Sequence, residues 1–294
     1  MNKKKVLGLF LAVLMVGAFA SMAIAAPADE IARMAGKGKV IDLRMTNDPN
    51  YPCFWGGAQT PPFIITPNAI IDKPERRPFR NVWYSNTLIF DEHLGTHHDS
   101  PSHFIPKLET GMKIASKWGA WNNEKCPVEW FMGPAKVIDC TDLEGKAAPG
   151  KSPLITIDKI KDWESRHGRI ERGDVVVFYT GYTDRYYRAF PAGNRMVYDV
   201  VETGTAVGWP GPAPETASWL ADKGVKCLAG DIPSMGPWQV IRDTHLAGLG
   251  KGMVYVEQLM NLGKLPPTGA YFIYICVKTR GTSGGPGGAI AIIP

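Results

Sequence analysis

The 294-residue sequence predicts a single α/β domain, a mixed sheet with flanking helices. Three observations carry that prediction. Short strands apolar on both faces, of which 175–179 (Val-Val-Val-Phe-Tyr) is the clearest, belong in a sheet covered on both sides. Helical segments with their own start and stop signals alternate with those strands. No low-complexity linker or internal repeat divides residues 26–294, a length that suits one large core.

Residues 1–25 precede the domain. Lys3-Lys4-Lys5, an apolar stretch over 6–23 and the small-x-small triplet Ala23-Ile24-Ala25 form a secretory signal peptide. The expected product is an exported domain, 26–294, periplasmic or secreted, with no membrane association after cleavage. An uncleaved anchor is the alternative, because the apolar stretch is long enough for a thin bilayer. Without the leader the balance is 30 basic against 28 acidic residues, a charge of +2, which gives no support for nucleic-acid binding. None of the five cysteines forms a CxxC pair, so neither a zinc ribbon nor a thioredoxin-like motif is supported.

Along the domain, 40–43 reads as a strand. Residues 47–78, with Trp55-Gly56-Gly57 and Pro61-Pro62-Phe63, are too proline-rich for regular helix and read as a long irregular arm. Strands follow at 82–90 and 135–139. A helix begins at Asp158 and ends near Gly168. The apolar strand 175–179 comes next, then a helix from Pro214 through Asp222, stopped by Gly224. Short strands at 227–229, 271–277 and 289–293 complete the pattern.

Function is concentrated in one eleven-residue run, His93-Leu94-Gly95-Thr96-His97-His98-Asp99-Ser100-Pro101-Ser102-His103, which holds four of the six histidines. Imidazole and carboxylate are ligands of zinc, manganese and iron. A helix would pair His93 with His97 and Asp99 with His103, whereas a strand would put all four on one face. Gly95-Thr96 and Ser100-Pro101 argue for a strand end, a tight turn and a new helix, with Ser100 as N-cap and Pro101 as its first residue. In each geometry the four converge, and His98 points elsewhere, to a supporting position or to solvent. His245 and Glu257 are the next candidates. Glu257 follows the β-type run 253–256, where a charge needs a partner. A metal would be one, an ordinary salt bridge another.

The run His93-x-Gly95-Thr96-His97-x-Asp99-x-Pro101-x-His103 resembles the signature of the metal-dependent cyclase/hydrolase family, which includes bacterial kynurenine formamidases and isatin hydrolases. His245, with Glu257-Gln258-Leu259 twelve residues on, is similar to that family's second metal-binding segment, where the glutamate is usually followed by Asn-Leu. Weaker likenesses extend over 38–294. The resemblance implies the family's swivelling β/α/β fold, commonly as a homodimer. It implies that His93, His97 and Asp99 bind a first metal, and that Asp99 bridges to a second held by His245 and Glu257. It makes His103 the catalytic general acid/base, with a role as one more ligand the alternative. Members use zinc or manganese, one ion or two. Asp231 and Ser234 would line the pocket or support a ligand, or serve as turn residues before and after Pro233. Among the aromatic residues, Trp55, Phe63, Trp83, Trp209 and Trp238 lie near turns, where a few could stack on a planar substrate.

A metal with open positions lowers the pKa of a bound water towards about 7 and polarises a carbonyl. The expected activity is hydrolysis of a small-molecule amide or cyclic amide, such as an arylformamide or lactam. A lactone or ester hydrolase would use the same site. A periplasmic metal- or ligand-binding protein without turnover is the rival from another class, and a structural metal site is a third reading.

Overall fold

Strands apolar on both faces need cover on both, and the chain supplies it with a sheet whose two sides carry separate cores. The computed structural model describes Gly36 and residues 38–55, 62–69 and 83–294. The leader at 1–25 and the parts of the arm at 56–61 and 70–78 lie outside the described residues.

In chain order, β1 is Lys39–Asp42, β2 Ile64–Ala69, β3 Ser85–Ile89 and β4 His97–Asp99. Then come β5 (Met132–Asp139), β6 (Leu154–Ile155), α1 (Ile157–His167), β7 (Val175–Tyr179), α2 (Tyr182–Tyr186) and α3 (Tyr198–Val201). The last part holds β8 (Gly211–Pro212), α4 (Pro214–Asp222), β9 (Cys227–Gly230), α5 (Ile241–Leu249), β10 (Val254–Glu257), β11 (Tyr271–Cys276) and β12 (Gly284–Ile293).

The main sheet runs β1-β12-β11-β5-β7-β9-β10-β4. Its centre, β5-β7-β9-β10, is parallel, and each parallel step is made by a crossover that contains α1, α4 or α5. Strands β11, β12 and β4 join antiparallel. The start of β12 also pairs with β4, so the ladder closes on itself. This is the mixed α/β sheet with flanking helices that the sequence predicts.

Side-chain alternation sorts the two cores. Val175, Val177, Val137, Ala229, Val254 and Val256 share one cluster with Phe272 and Tyr274. Val176, Phe178, Ile138, Leu228 and Tyr255 share the other, with Ile160 and Trp163 of α1 and Ala217 and Leu220 of α4. Helix α1 begins where Thr156 caps the Lys159 N–H, and α4 begins with Pro214 at its first turn.

One expectation is revised, and one element had none. The arm is not wholly irregular, because β2 lies within it and pairs antiparallel with β3 in a ribbon separate from the main sheet. That ribbon shows Ile64, Ile65, Leu88 and Ile89 to solvent. The helix α5, which carries His245, has no clear sequence signal. Gly248 and Gly250 weaken its pattern, yet Gly248 is required there, since a Cβ would lie 2.0 Å from the Tyr255 hydroxyl. Among the described residues no helix is long and apolar enough to cross a membrane.

Candidate metal centre

The centre is built on the short strand β4 and its partner β10. In their register Tyr255 lies opposite Asp99 and Glu257 opposite His97. The alternation sends His97, Asp99 and Glu257 to the helix-covered face, where Tyr255 packs. His98 goes to the other face, where its ring meets Phe131 and Tyr274. His98 is therefore fully buried, not solvent-facing, and burial pushes its pKa down to about 4. Gly95, at φ 54°, makes the turn before β4 and offers its carbonyl to His97 Nδ1 at 2.7 Å. After β4 a single 3₁₀ turn, Pro101–His103, replaces the expected helix. Ser100 occupies the cap position but makes no side-chain cap bond, and its hydroxyl meets His98 Nε2 instead.

Five side chains gather around the Asp99 carboxylate. His93 Nδ1 lies 2.8 Å from Oδ1, and His97 Nε2 lies 3.6 Å from the same atom. His245 Nε2 is 3.2 Å and His103 Nε2 3.9 Å from Oδ2. Glu257 reaches His97 Nε2 at 3.4 Å and His245 Nε2 at 3.7 Å. The outer nitrogens are anchored: His97 Nδ1 on the Gly95 carbonyl and His245 Nδ1 on that of Ile241 at 2.8 Å. Such bonds fix a proton on the outer nitrogen, so that the inner one is the ligating atom once the ring is neutral. Glu257 Oε1 accepts the Met235 N–H at 2.6 Å.

The electrostatics call for a cation. Burial alone would raise the Asp99 carboxyl, but His103, His93 and His245 hold it well below the usual carboxylate range. Burial opposes charge on His93, yet Asp99, with Glu92 and Asp91, pushes its pKa up to about 10. His245 rises to about 9 for the same reason, Asp99 and Glu257 outweighing burial. His103 goes the other way, burial taking it down to about 4 despite Asp99. Asp99 Oδ1 is buried with no aligned hydrogen-bond donor, although His93 Nδ1 is close. A buried carboxylate oxygen left without an aligned donor suits a metal ligand. Two sets of donor atoms lie within 4.8 Å of one another, His93–Asp99–His103 and His97–Asp99–Glu257, with Asp99 common to both. This N/O donor set without thiolate fits a divalent metal.

A cavity of about 380 Å³ opens over the centre. Trp55, Phe104, Trp238 and Ile241 give it apolar walls, and Ser234 and Gln258 add polar groups. Trp209 and Phe63 are core residues instead, and Trp83 is exposed. Asp231 does not line this cavity. Its carboxylate accepts the N–H groups of Thr180 and Gly181, each at 2.7 Å, and the Thr180 hydroxyl, tying β9 to the end of β7. Burial nevertheless pushes its pKa up to about 7.

Residues 41–237 match the family model described as putative cyclase. The chain belongs to the cyclase family of metal-dependent hydrolases. An isatin hydrolase of Roseibium aggregatum is 29% identical over 270 residues, covering 89% of this chain and 94% of that protein. Isatin hydrolase A of Ralstonia solanacearum has a similar structure, with a TM-score of 0.74 and 26% identity over 93% of this chain and 99% of that one. An isatin hydrolase bound to the product analogue thioisatinate gives the same TM-score and identity over 92% and 99%. Within this cyclase-family centre, the sequence reading passed over Glu92 and Ser283. Glu92 adjoins His93, and Ser283 immediately precedes the final strand, but their meeting 191 residues apart leaves no local signal.

Proposed function

We propose that this chain is an exported metal-dependent hydrolase that cleaves an amide or cyclic amide, an arylformamide or lactam, with His103 as general acid/base. The observation that carries the reading is the convergence of His93, His97, Asp99, His103, His245 and Glu257 at the floor of a cavity with tryptophan walls. The isatin hydrolases similar to this chain act, by name, on a cyclic amide.

His93, His97 and Asp99 would hold one ion, with Asp99, His245 and Glu257 able to hold a second; zinc and manganese both suit these donors. Such an ion supplies Lewis acidity towards the scissile carbonyl and makes water a nucleophile near neutral pH. His103 then takes the proton of the attacking water and delivers it to the leaving nitrogen. Its depressed pKa keeps it neutral, and so able to accept, at physiological pH. Trp55 and Trp238 hold a planar acyl group against the centre and keep bulk water out. The basic, apolar and small-residue segments of 1–25 support export. Family resemblance supports a homodimer, as does the exposed apolar surface of the β2–β3 ribbon, because an isolated two-stranded ribbon has little stability of its own.

The test is metal content by mass spectrometry on protein purified without chelator, with a hydrolysis panel of formamides, lactams and lactones. One or two zinc or manganese ions per chain with chelator-sensitive amide cleavage is the expected result. Stoichiometric metal with no turnover would replace the enzyme by a binding protein, and turnover confined to lactones would change the bond cleaved. Light scattering on the same sample reads the dimer.

A further inference from the structure

Ser283 immediately precedes β12, and its hydroxyl sits among three charged or titratable side chains. It donates to Glu92 Oε1, and the Ser283 N–H goes to the same oxygen at 2.9 Å. On its other side the hydroxyl oxygen lies 3.2 Å from His103 Nδ1 and 3.4 Å from His93 Nε2. The backbone around it is held independently, since the Ser100 N–H bonds the Ser283 carbonyl at 2.8 Å and Gly284 is paired with Asp99. The loop therefore does not need the hydroxyl to keep its place.

A serine hydroxyl has one proton and two lone pairs, and a carboxylate can only accept. With the proton committed to Glu92, the lone pairs are what His103 and His93 meet. Each imidazole must then present an N–H to Ser283. For His103 this puts the proton on Nδ1 and leaves Nε2 bare on the side of the Asp99 carboxylate. We propose that Ser283, aligned by Glu92, is a positioning residue that holds His103 in its Nδ1–H tautomer with Nε2 turned to the reacting water. The inference rests on the reading of His103 as general acid/base. The same contact gains strength when His103 takes a proton, because the Glu92 charge then acts on the imidazolium through the polarised hydroxyl. Neither residue touches substrate. Both act through His103.

The experiment compares Ser283→Ala, Ser283→Thr, Glu92→Gln and His103→Ala in the full domain loaded with Zn²⁺. It reads zinc per chain, kcat and KM with isatin as probe substrate, and long-range ¹⁵N–¹H spectra of ¹⁵N-histidine-labelled protein. The expected result for Ser283→Ala is a fall in kcat of about 10–100-fold, the usual cost of losing such an outer partner. KM and zinc content stay unchanged, and the His103 signal loses its Nδ1–H pattern. Ser283→Thr, which keeps the hydroxyl, restores rate and pattern, and Glu92→Gln gives an intermediate loss. An unchanged His103 pattern in Ser283→Ala overturns the proposal whether or not isatin is turned over. A rate loss that merely tracks lost zinc also overturns it, leaving Ser283 as a support for His93. Undiminished turnover in His103→Ala removes the acid/base reading itself, an outcome the Ser283 variants cannot mimic.

Discussion

The chemistry of the centre depends on which imidazole nitrogens carry protons. His103 is kept neutral by burial, whereas His93 and His245 are driven to hold protons by the carboxylates beside them. His103→Ala is expected to retain its metal and lose activity by about 10²–10⁴-fold, read as kcat beside metal content. Loss of metal in that variant would make His103 a ligand instead. The raised values of His93 and His245 give a second prediction. At pH 7.5 both are charged in the metal-free protein, and both must be neutral to ligate. Loading both ions should thus release about two protons per chain, one from each site, and apparent affinity should rise with pH towards 9–10. Titration calorimetry in two buffers of different ionisation heat measures this, and zero release would contradict it. The sign for stability is opposite. Both folded values exceed the ordinary 6.5, so their contribution to the metal-free fold is complete below pH 6.5 and is lost as pH rises through about 9 and 10.

The element that matters most is β4, three residues long, whose alternation sends His97 and Asp99 to one face and His98 to the other. Its close contact with β12 requires glycine. A Cβ at Gly284 would lie 2.6 Å from His93 Cε1 and 2.7 Å from the His98 carbonyl, and the carbonyl is backbone that cannot step aside. Gly284→Ala should lower stability by about 1–3 kcal/mol and loosen metal retention, as urea unfolding and metal content will show. An unchanged unfolding midpoint would mean that β12 can shift without disturbing the centre. At this scale the sequence was readable where local rules dominate. The apolar run of β7 and the Pro-initiated α4 fall where the pattern puts them. The helix α5 was not legible, because Gly248 within it answers to Tyr255 on another element. The 3₁₀ turn after β4 was not legible either, because Ser100 is drawn to His98.

Over the whole molecule, the two apolar clusters are distinct from the ionisable centre. The fold therefore has its own support, and removing the metal should leave it standing. Chelator-treated protein is expected to keep its far-ultraviolet circular dichroism and lose turnover, with recovery on adding Zn²⁺ or Mn²⁺. Unfolding on chelation would instead make the centre structural. The closing contact between β12 and β4 is the feature with the widest reach, since it carries Ser283 and Gly284 to the edge of the site.

The sequence by itself determined the ligand run 93–103, because four donor side chains within eleven residues converge under either helical or extended geometry. It also determined the mixed α/β class, because strands apolar on both faces leave few other solutions. Only the tertiary structure decided that His245 and Glu257 meet Asp99, that Trp55 and Trp238 wall the cavity, and that Glu92 and Ser283 close behind His103. Those meetings join residues up to 191 positions apart. Their register is set by packing across the entire sheet, a quantity that no local pattern contains.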